Sequence, residues 1–391
     1  MNINRVIQVD NGQTLQALHR FLNLFWRKYH LDALLAPIEN PAINRGAIGG
    51  MATRAITDPT LLHQVNPFAP VMPESAACLV SDFIKAQQNG QAQLRKRLAV
   101  LLRPCELRAL IELHKQKRLP AEIEDVVIIG VDCLGTFRRD EFQNRLEQES
   151  LTQLTNEVFR IASAGNINEN RISLRTGVLQ QTYRTACQIC DWPAPRGAHI
   201  TIGTIGVATD RYLMLIAPDE ITDDRLSLGE VANKFASEYQ VSHRETVVGA
   251  IGDARNNLRQ KMLSDLQSEN RFKDLASLLV LFNNCTVCGE CLKHCPIENG
   301  DLNNLFVDRQ PIQNGTTVPE LRFRRHTPLA DLVAISHWLA SCSGCGMCEQ
   351  TCEHDVPLTL LISALSHRIR AEVHYQAGDP NQNLPWERVK L

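Results

Sequence analysis

Two cysteine runs with the same spacing constrain this chain more than any other feature of its sequence. Within each run, two, two and three residues separate successive cysteines. This spacing curls three thiolates around one corner of a 4Fe–4S cubane, while the fourth cysteine often completes the other cluster when two runs pair. The first expected cluster is held by Cys285, Cys288, Cys291 and Cys352. The second is held by Cys342, Cys345, Cys348 and Cys295.

Structural zinc is the alternative occupant of such cysteines. Zinc sites usually bring two separated cysteine pairs together around one tetrahedral ion. Here four cysteines fall within eleven residues, twice. Gly289, Gly344 and Gly346 lie inside the runs, where a backbone that wraps around a cluster needs unusual dihedral angles and close approach. The spacing therefore favours the cubane.

The rest of the composition restricts the class of protein. The chain has 391 residues, 13 cysteines and a net charge of −2, which argues against a nucleic-acid partner. The N-terminus shows no basic segment followed by an apolar stretch, so no signal peptide is expected. The longest purely apolar run, 278–282, is far below the ~18 residues of a membrane helix. We expect a cytoplasmic protein without a membrane span, and reduced cytosolic thiols disfavour disulfides.

The uneven distribution of cysteines divides the chain. Residues 1–180 contain three cysteines, whereas eight lie between Cys285 and Cys352, after a polar stretch over 253–273. We therefore expect a boundary near residue 270. The predicted architecture is an α/β (α+β) domain over 1–270, a mostly α-helical, ferredoxin-like domain with two 4Fe–4S clusters over 271–370, and a polar tail over 371–391.

The first domain shows alternating strand and helix patterns. Residues 98–102 form an apolar run of strand length, Pro104 suits a first helical position, and β-branched residues over 125–132 indicate a buried strand. This strand–helix–strand unit predicts parallel neighbours. Residues 199–218 predict two more strands joined by a hairpin turn at 210–211. In the second domain, helices are predicted over 275–282, 329–339 and 358–369.

A third set of four cysteines is scattered along the first domain. Cys105 follows one predicted strand and Cys133 ends the next, so both are expected at the edge where open α/β sheets bind ligands. Cys187 and Cys190 form a closely spaced pair that can supply two further ligands. The alternative is that Cys105 and Cys133 are small buried hydrophobic residues, and the residues alone leave both interpretations open. Cys78 has no sequence partner and is expected in helix packing.

Short motifs around these cysteines resemble a known family. Arg103-Pro104-Cys105-Glu106, Gly130-Val131-Asp132-Cys133, and Cys187-Gln188-Ile189-Cys190 followed by the stretch 200–206 look like the beta subunits of coenzyme F420-reducing hydrogenase and formate dehydrogenase. The similarity spans about 40–270. The second domain resembles the α-helical dicluster ferredoxin of fumarate reductase and heterodisulfide reductase iron–sulfur subunits, except that Glu353 stands where proline usually follows the last cysteine.

The resemblance implies an FAD-binding α/β domain with a third 4Fe–4S cluster beside the flavin. That cluster is implied at Cys105, Cys133, Cys187 and Cys190. Glycines can let backbone N–H groups approach a flavin phosphate or ring, although a glycine-kinked strand pair is the alternative. The flavin candidates are Gly49, Gly50, Thr201, Gly203, Thr204 and Gly206.

The expected function is that of an electron-transfer subunit. A hydride exchanged at FAD, with coenzyme F420 or NAD(P) as carrier, becomes single electrons that pass through the clusters to a catalytic subunit of a formate dehydrogenase or hydrogenase. No Gly-x-Gly-x-x-Gly motif stands at a strand–helix junction, which counts against a Rossmann-type nicotinamide site. A flavin-free relay subunit, as in heterodisulfide reductase-like complexes, is the alternative.

Overall fold

A mixed β-sheet forms the centre of the first domain. In this computed structural model the described residues are 2–40, 48–88, 96–163, 167–168, 171–172, 182–268, 280, 282–298 and 328–387. The strands are β1 (Ile3–Gln8), β2 (Ala33–Glu39), β3 (Met51–Ile56), β4 (Leu98–Leu102), β5 (Val127–Val131), β6 (Ile167–Asn168), β7 (Arg171–Ile172), β8 (Ile200–Gly203), β9 (Tyr212–Ala217) and β10 (Lys234–Phe235). Eight of them form one sheet in the order β10-β1-β9-β8-β5-β4-β2-β3, and β6 pairs with β7 separately.

The middle of the sheet is parallel and its edges are antiparallel. β2, β4, β5 and β8 run parallel, β3 closes one edge, and β9, β1 and β10 close the other. The predicted parallel strands over 98–102 and 125–132 are confirmed as the neighbours β4 and β5. The two strands predicted over 199–218 are confirmed as the antiparallel pair β8 and β9, but residues 204–211 connect them instead of a tight turn at 210–211.

Helices cover the sheet and form the second half of the chain. Those of the described residues are α1 (Thr14–Tyr29), α2 (Ala76–Gln88), α3 (Pro104–Lys115), α4 (Arg139–Leu146), α5 (Leu151–Ser163), α6 (Thr185–Gln188), α7 (Glu220–Arg225), α8 (Leu228–Val231), α9 (Glu238–Ser268), α10 (Glu290–Lys293), α11 (Pro328–Ser341), α12 (Met347–Gln350) and α13 (Leu358–Glu372). Short 3₁₀ turns occupy Pro59–Gln64, Ala121–Asp125 and Pro385–Glu387. α11 and α13 confirm the helices predicted over 329–339 and 358–369, while most of 275–282 lies outside the described residues.

Strand alternation produces two apolar layers. In β2, Leu34 and Ala36 face α1, whereas Ala33 and Leu35 face α2 and α3, because successive side chains of a strand point to opposite faces. α1 buries Leu18, Phe21 and Phe25 in the first layer. Both faces of the parallel strands are thus covered. The carboxyl ends of these strands are therefore the edge of the sheet at which a site can form.

The C-terminal residues pack on the first domain. Polar composition predicted a tail over 371–391, yet Tyr375, Ala377 and Leu384 are buried. The Tyr375 hydroxyl donates to Glu112 Oε1 at 2.6 Å, and the Gly378 N–H donates to the same oxygen at 2.8 Å. A buried carboxylate on α3 therefore binds this segment, and composition missed it because the partner lies about 260 residues earlier.

No helix among the described residues combines the length and apolarity that crossing a membrane requires.

Candidate iron–sulfur sites

The carboxyl edge of the parallel strands gathers four thiols. Cys105 lies in the first turn of α3, directly after β4, and Cys133 follows β5. Cys187 lies in α6, and Cys190 follows that helix. All four line one cavity, here called the sheet-edge set. β4 and β5 are parallel neighbours, so Cys105 and Cys133 meet at this edge, as predicted.

A buried carboxylate holds the loop that carries Cys105. Glu106 Oε2 accepts from the Arg103 N–H at 2.8 Å, and Glu106 Oε1 accepts from the Ala76 N–H at 2.9 Å. This one side chain therefore caps the first turns of α2 and α3 together. The Arg103 guanidinium in turn donates to the carbonyl oxygens of Pro67 and Ala69. The position of Cys105 is fixed from both sides by groups that are themselves buried.

Hydrogen-bond donors surround two sulfurs of the sheet-edge set. Cys187 Sγ accepts from the Thr136 N–H at 3.4 Å and from the Arg184 guanidinium at 3.7 Å. Arg108 donates to Cys190 Sγ at 3.5 Å. Donors and cations favour thiolate over thiol, so these contacts suit sulfur that bears negative charge.

The four thiols of this set differ in how their surroundings affect the pKa. Burial raises the pKa of Cys105, and burial raises the pKa of Cys133 to about 11 even though the Arg103 charge opposes it. At Cys187 burial acts in the same sense, but Arg184 and Thr136 outweigh it and the pKa is lowered. An isolated thiolate at Cys105 or Cys133 is therefore unfavourable, whereas a bound metal group stabilises deprotonated sulfur.

In each cysteine run, the charges that act on one thiol include the last cysteine of the other run. Cys291 has Cys288, Cys285 and Cys352 as electrostatic neighbours. These four cysteines are here called the first-run group. Cys348 has Cys345, Cys342 and Cys295 as its neighbours. These four are the second-run group, and in both groups the last cysteine of one run lies beside the other run.

Three glycines and the indole N–H of Trp338 support the loops of the two cysteine runs. Gly289, Gly344 and Gly346 have φ of 76°, 67° and 69°, so the predicted need for unusual dihedral angles is met. A Cβ on Gly346 would lie 2.3 Å from Ala186 Cβ, so this glycine also permits close contact between the second run and α6. Trp338 Nε1 donates to Cys295 Sγ at 3.4 Å.

The second-run group lies against the sheet-edge set, and the first-run group lies farther out. Cys345 is buried with Met72 and Met347, and Cys105 packs against the same cluster. By contrast, Cys285 and Cys288 are exposed. The second-run group therefore borders the sheet-edge set, and the first-run group reaches the surface.

The residues present fit iron–sulfur clusters. Each group offers four thiols, and four thiolates bring net negative charge that buried cations such as Arg108 can offset. The Nε of Arg108 is buried without a protein partner, although the side chain lies beside Cys190. Among the described residues, no three His, Cys, Asp or Glu side chains are grouped as a single metal ion would require.

The predicted flavin glycines are covered by protein side chains. A Cβ on Gly49 would lie 2.3 Å from Leu146, and a Cβ on Gly203 would lie 2.7 Å from Arg244 Nε. Gly206, with φ of 68°, allows the backbone of α9 to approach at Arg244. These glycines serve close packing, the role that a glycine-kinked strand pair would have. Gly50 also has positive φ, and it follows 41–47, which lie outside the described residues.

The N–H groups between Gly203 and Gly206 bind a carboxylate of the chain itself. Thr204 N and Ile205 N donate to Asp132 Oδ2 at 2.8 and 2.9 Å, and Arg244 donates to Asp132 Oδ1 at 2.7 Å. The expected approach of these N–H groups to a flavin phosphate is therefore not what the structure shows, because Asp132 occupies them. Of the six candidates, Thr201 lines a cavity on the sheet, but it is itself buried.

Several residues of the site were missed in the sequence. Arg108 lies three residues after Cys105, and Arg184 lies three residues before Cys187. The spacing of Arg184 and Cys187 is a signal that the sequence contained, whereas Arg108 donates to Cys190, 82 residues later, which no local spacing indicated. Trp338 and Met72 carried no such signal, because they lie far in sequence from the cysteines they contact. Cys78, expected in packing, is exposed on α2.

Known proteins resemble part of this chain. Residues 95–233 match the profile of a family described as the C terminus of the beta subunit of coenzyme F420 hydrogenase/dehydrogenase. The beta subunit of the F420-dependent formate dehydrogenase of Methanocaldococcus jannaschii is 22% identical over 301 residues, which are 74% of this chain and 76% of that protein. A chain of the xenon-derivatised F420-reducing NiFe hydrogenase complex from Methanosarcina barkeri aligns over 68% of this chain and 92% of its own length, with 10% identity and a TM-score of 0.46.

The family match covers the segment that carries the sheet-edge set. The motifs around Cys105, Cys133, Cys187 and Cys190 all fall within it, and so do β4, α3 and β5. The resemblance predicted from those motifs is confirmed over residues 95–233, which match the profile of the coenzyme F420 hydrogenase/dehydrogenase beta-subunit family.

Proposed function

We propose that this chain is the electron-transfer beta subunit of a formate dehydrogenase or hydrogenase complex. The observation that carries the proposal is the contact between the sheet-edge set and the second-run group, at Cys105 and Cys345. Two cysteine sites built on different halves of the chain would not need to meet if each served only to stabilise its own half. The Methanocaldococcus jannaschii relative, a beta subunit of an F420-dependent formate dehydrogenase, supports the same assignment.

Each of the three thiol groups is proposed to hold one 4Fe–4S cluster, which accepts and releases one electron at a time when bound. The chain's own residues orient the thiols and exclude water from the inner two groups. Arg108 and Arg184 offset negative charge at the sheet-edge set, and Trp338 donates to Cys295 of the second-run group.

The arrangement of the groups supports one order of electron transfer. The sheet-edge set contacts the second-run group at Cys105 and Cys345. The second-run group adjoins the first-run group because Cys291 and Cys295 belong to one run. Cys285 and Cys288 are exposed, so the first-run group is proposed to face the catalytic subunit.

The entry of electrons requires a converter between hydride and single electrons, and FAD is proposed for it on the strength of the family resemblance. Coenzyme F420 is the proposed carrier, with NAD(P) as the other candidate. Of the residues first predicted for the flavin, Gly49, Gly203, Thr204 and Gly206 are packed against Leu146, Arg244 and Asp132. The flavin is therefore proposed to be held by residues other than these.

Iron and flavin analysis of anaerobically purified protein tests the proposal. We expect about twelve iron atoms per chain, four for each of three clusters, and about one FAD. About eight iron atoms would remove the sheet-edge cluster from the proposal. Mixing the oxidised protein with reduced coenzyme F420 or with NAD(P)H should bleach the flavin and cluster absorbance with one of the two carriers.

A flavin-free relay is the second candidate function. It is favoured by one observation, the covering of Gly203 and Gly206 by Arg244. In that case the protein would contain clusters but no flavin absorbance, and neither hydride carrier would reduce it directly. A one-electron donor such as ferredoxin should still reduce the protein.

A further inference from the structure

One guanidinium is buried at the boundary between two of the thiol groups. Arg184 precedes α6 and is only 5% exposed. Its Nε donates to Thr136 Oγ1 at 2.8 Å, and its NH1 donates to Gln350 Oε1 at 2.7 Å. Thr136 belongs to the loop after β5, whereas Gln350 belongs to the second cysteine run. The two neutral acceptors thus hold the cation between the α/β domain and the helical half.

The sulfur atoms around Arg184 come from both sides of that boundary. Its NH2 lies 3.7 Å from Cys187 Sγ and 3.9 Å from Met72 Sδ, and its NH1 lies 3.7 Å from Met347 Sδ. The groups that act on its charge are the thiols of Cys187, Cys105 and Cys345. Two of these belong to the sheet-edge set and the third to the second-run group.

No carboxylate of the described residues forms an ion pair with Arg184. Other buried arginines of this chain do have one, as Arg244 has Asp132 and Arg5 has Asp223. A buried charge without a counter-ion is costly, and arginine does not lose its proton under ordinary conditions. The missing negative charge must come from the thiol groups on either side.

We propose that Arg184 is a positioning residue that electrostatically couples the sheet-edge cluster to the second-run cluster and raises the reduction potentials of both. This inference rests on the proposed function, since it requires clusters at both sites. A fixed cation beside two anionic clusters favours the form with one more electron in each. Because the guanidinium is buried, water and salt screen its charge less than they would screen a surface cation.

The transfer itself is a one-electron step. One electron leaves the reduced cluster of the sheet-edge set and enters the oxidised cluster of the second-run group, with no bond formed or broken. Arg184 keeps its proton in both states, so no proton moves with the electron at this residue. The electrons originate in a hydride donor or, in the test below, in dithionite.

Arg108 offers a matched control. It is also a buried guanidinium, at 7% exposure, and it donates to Cys190 Sγ at 3.5 Å. The thiols that act on its charge, Cys190 and Cys105, both belong to the sheet-edge set. Neutralising Arg108 should therefore affect one cluster where neutralising Arg184 affects two.

The experiment is an EPR-monitored dithionite titration of anaerobically purified full-length protein. The unmodified chain should show three one-electron signals, and Cys291→Ser should identify the signal of the first-run group by altering it. Arg184→Gln should move the other two signals to lower potential and leave the first-run signal in place. Arg108→Gln should move one signal only. Arg184→Lys, which keeps the charge, should shift the same two signals less than Arg184→Gln does.

The outcomes separate this inference from the proposed function. Fewer than three signals in the unmodified chain would defeat the three-cluster function, whatever the variants do. Three signals with none moved by Arg184→Gln, or with all three moved equally, would overturn the role of Arg184 alone. If Arg184→Gln fails to retain its iron, Arg184→Met, a second neutral side chain, decides: lowered potentials confined to the same two signals support the coupling, and unchanged potentials contradict it.

Discussion

The sheet-edge set and the first-run group each present four thiols, in opposite surroundings. Around Cys187 and Cys190 the chain supplies two buried guanidinium groups and a backbone N–H, within a cavity that Gly344 and Cys345 of the helical half also line. Cys285 and Cys288 are exposed, and no side-chain donor to either is found among the described residues. Burial and hydrogen bonds to sulfur both affect reduction potential, so identical ligands need not make equivalent sites.

The two regions also differ in what stabilises them. The α/β domain has large apolar clusters on both faces of its sheet and a third under α4 and α5. In the described part of the helical half, the apolar cluster at the cysteines consists of Met72, Cys345 and Met347, with Cys105 against it. Leu332 and Val333 of α11 are exposed. With clusters bound as proposed, we expect the second region to depend on ligation far more than the first.

Removal of iron should separate the two regions most clearly. Chelation under anaerobic conditions should leave the sheet protected from hydrogen exchange while α11–α13 exchange freely, because metal-binding free energy on the order of 10 kcal/mol can be folding free energy in small metal domains. Mass spectrometry of exchanged peptides measures this. Equal loss of protection in β4, β5 and α13 would contradict the proposed difference.

The buried ion pair of the α/β domain should give the next largest effect. Asp132→Ala leaves Arg244 buried without its 2.7 Å partner and removes the acceptor of two N–H groups. We expect a loss of about 3–5 kcal/mol in the free energy of unfolding, measured by urea denaturation. Arg20→Ala, which removes an exposed pair with Asp10, should cost less than about 1 kcal/mol. Similar losses in the two variants would show that the sheet edge does not depend on Asp132.

The C-terminal segment connects the two regions, and a single hydroxyl tests that connection. Tyr375→Phe removes the 2.6 Å hydrogen bond to the buried Glu112 carboxylate. The expected cost is about 1.5–3 kcal/mol, since hydrogen bonds to charged groups lie in that range. Thermal unfolding with Tyr239→Phe as control, on an exposed tyrosine, measures it. An unchanged midpoint in Tyr375→Phe would mean that Gly378 and Lys115 suffice to satisfy Glu112.

The smallest expected effect is a pH dependence confined to the α/β domain. His199 Nδ1 accepts from the Ile128 N–H at 2.9 Å, and burial, followed by the Arg225 charge, lowers its pKa. The unfolded chain therefore binds a proton more readily, and stability is lost as the pH falls from about 6.5 towards the lowered pKa.

The size of that loss is about 1 kcal/mol, because protonation removes one hydrogen bond. His199→Gln should flatten the dependence of the unfolding midpoint between about pH 5 and 6.5. An unaltered slope in this variant would assign the pH dependence to other groups, such as the half-buried His19, whose pKa burial also lowers.

Local patterns predicted more of the fold than of the site. The unit β4–α3–β5 was predicted because its apolar periods and Pro104 act over a few residues. The buried position of 373–387 was not predicted, because its partner Glu112 looks like an ordinary charged residue of a helix. The role of Gly203 was also misjudged, since its neighbour Arg244 arrives on a helix about 40 residues later.

The two cysteine runs and the parallel strands that place Cys105 and Cys133 at one edge could be predicted from the sequence. These follow from spacing and periodicity, which are properties of neighbouring residues. The position of Arg184 between two thiol groups, and the binding of Asp132 to the N–H groups of Thr204 and Ile205, emerged from the fold. The reason is physical: a buried charge is tolerated only where other parts of the chain supply its partners, and those partners are known only after the chain has folded.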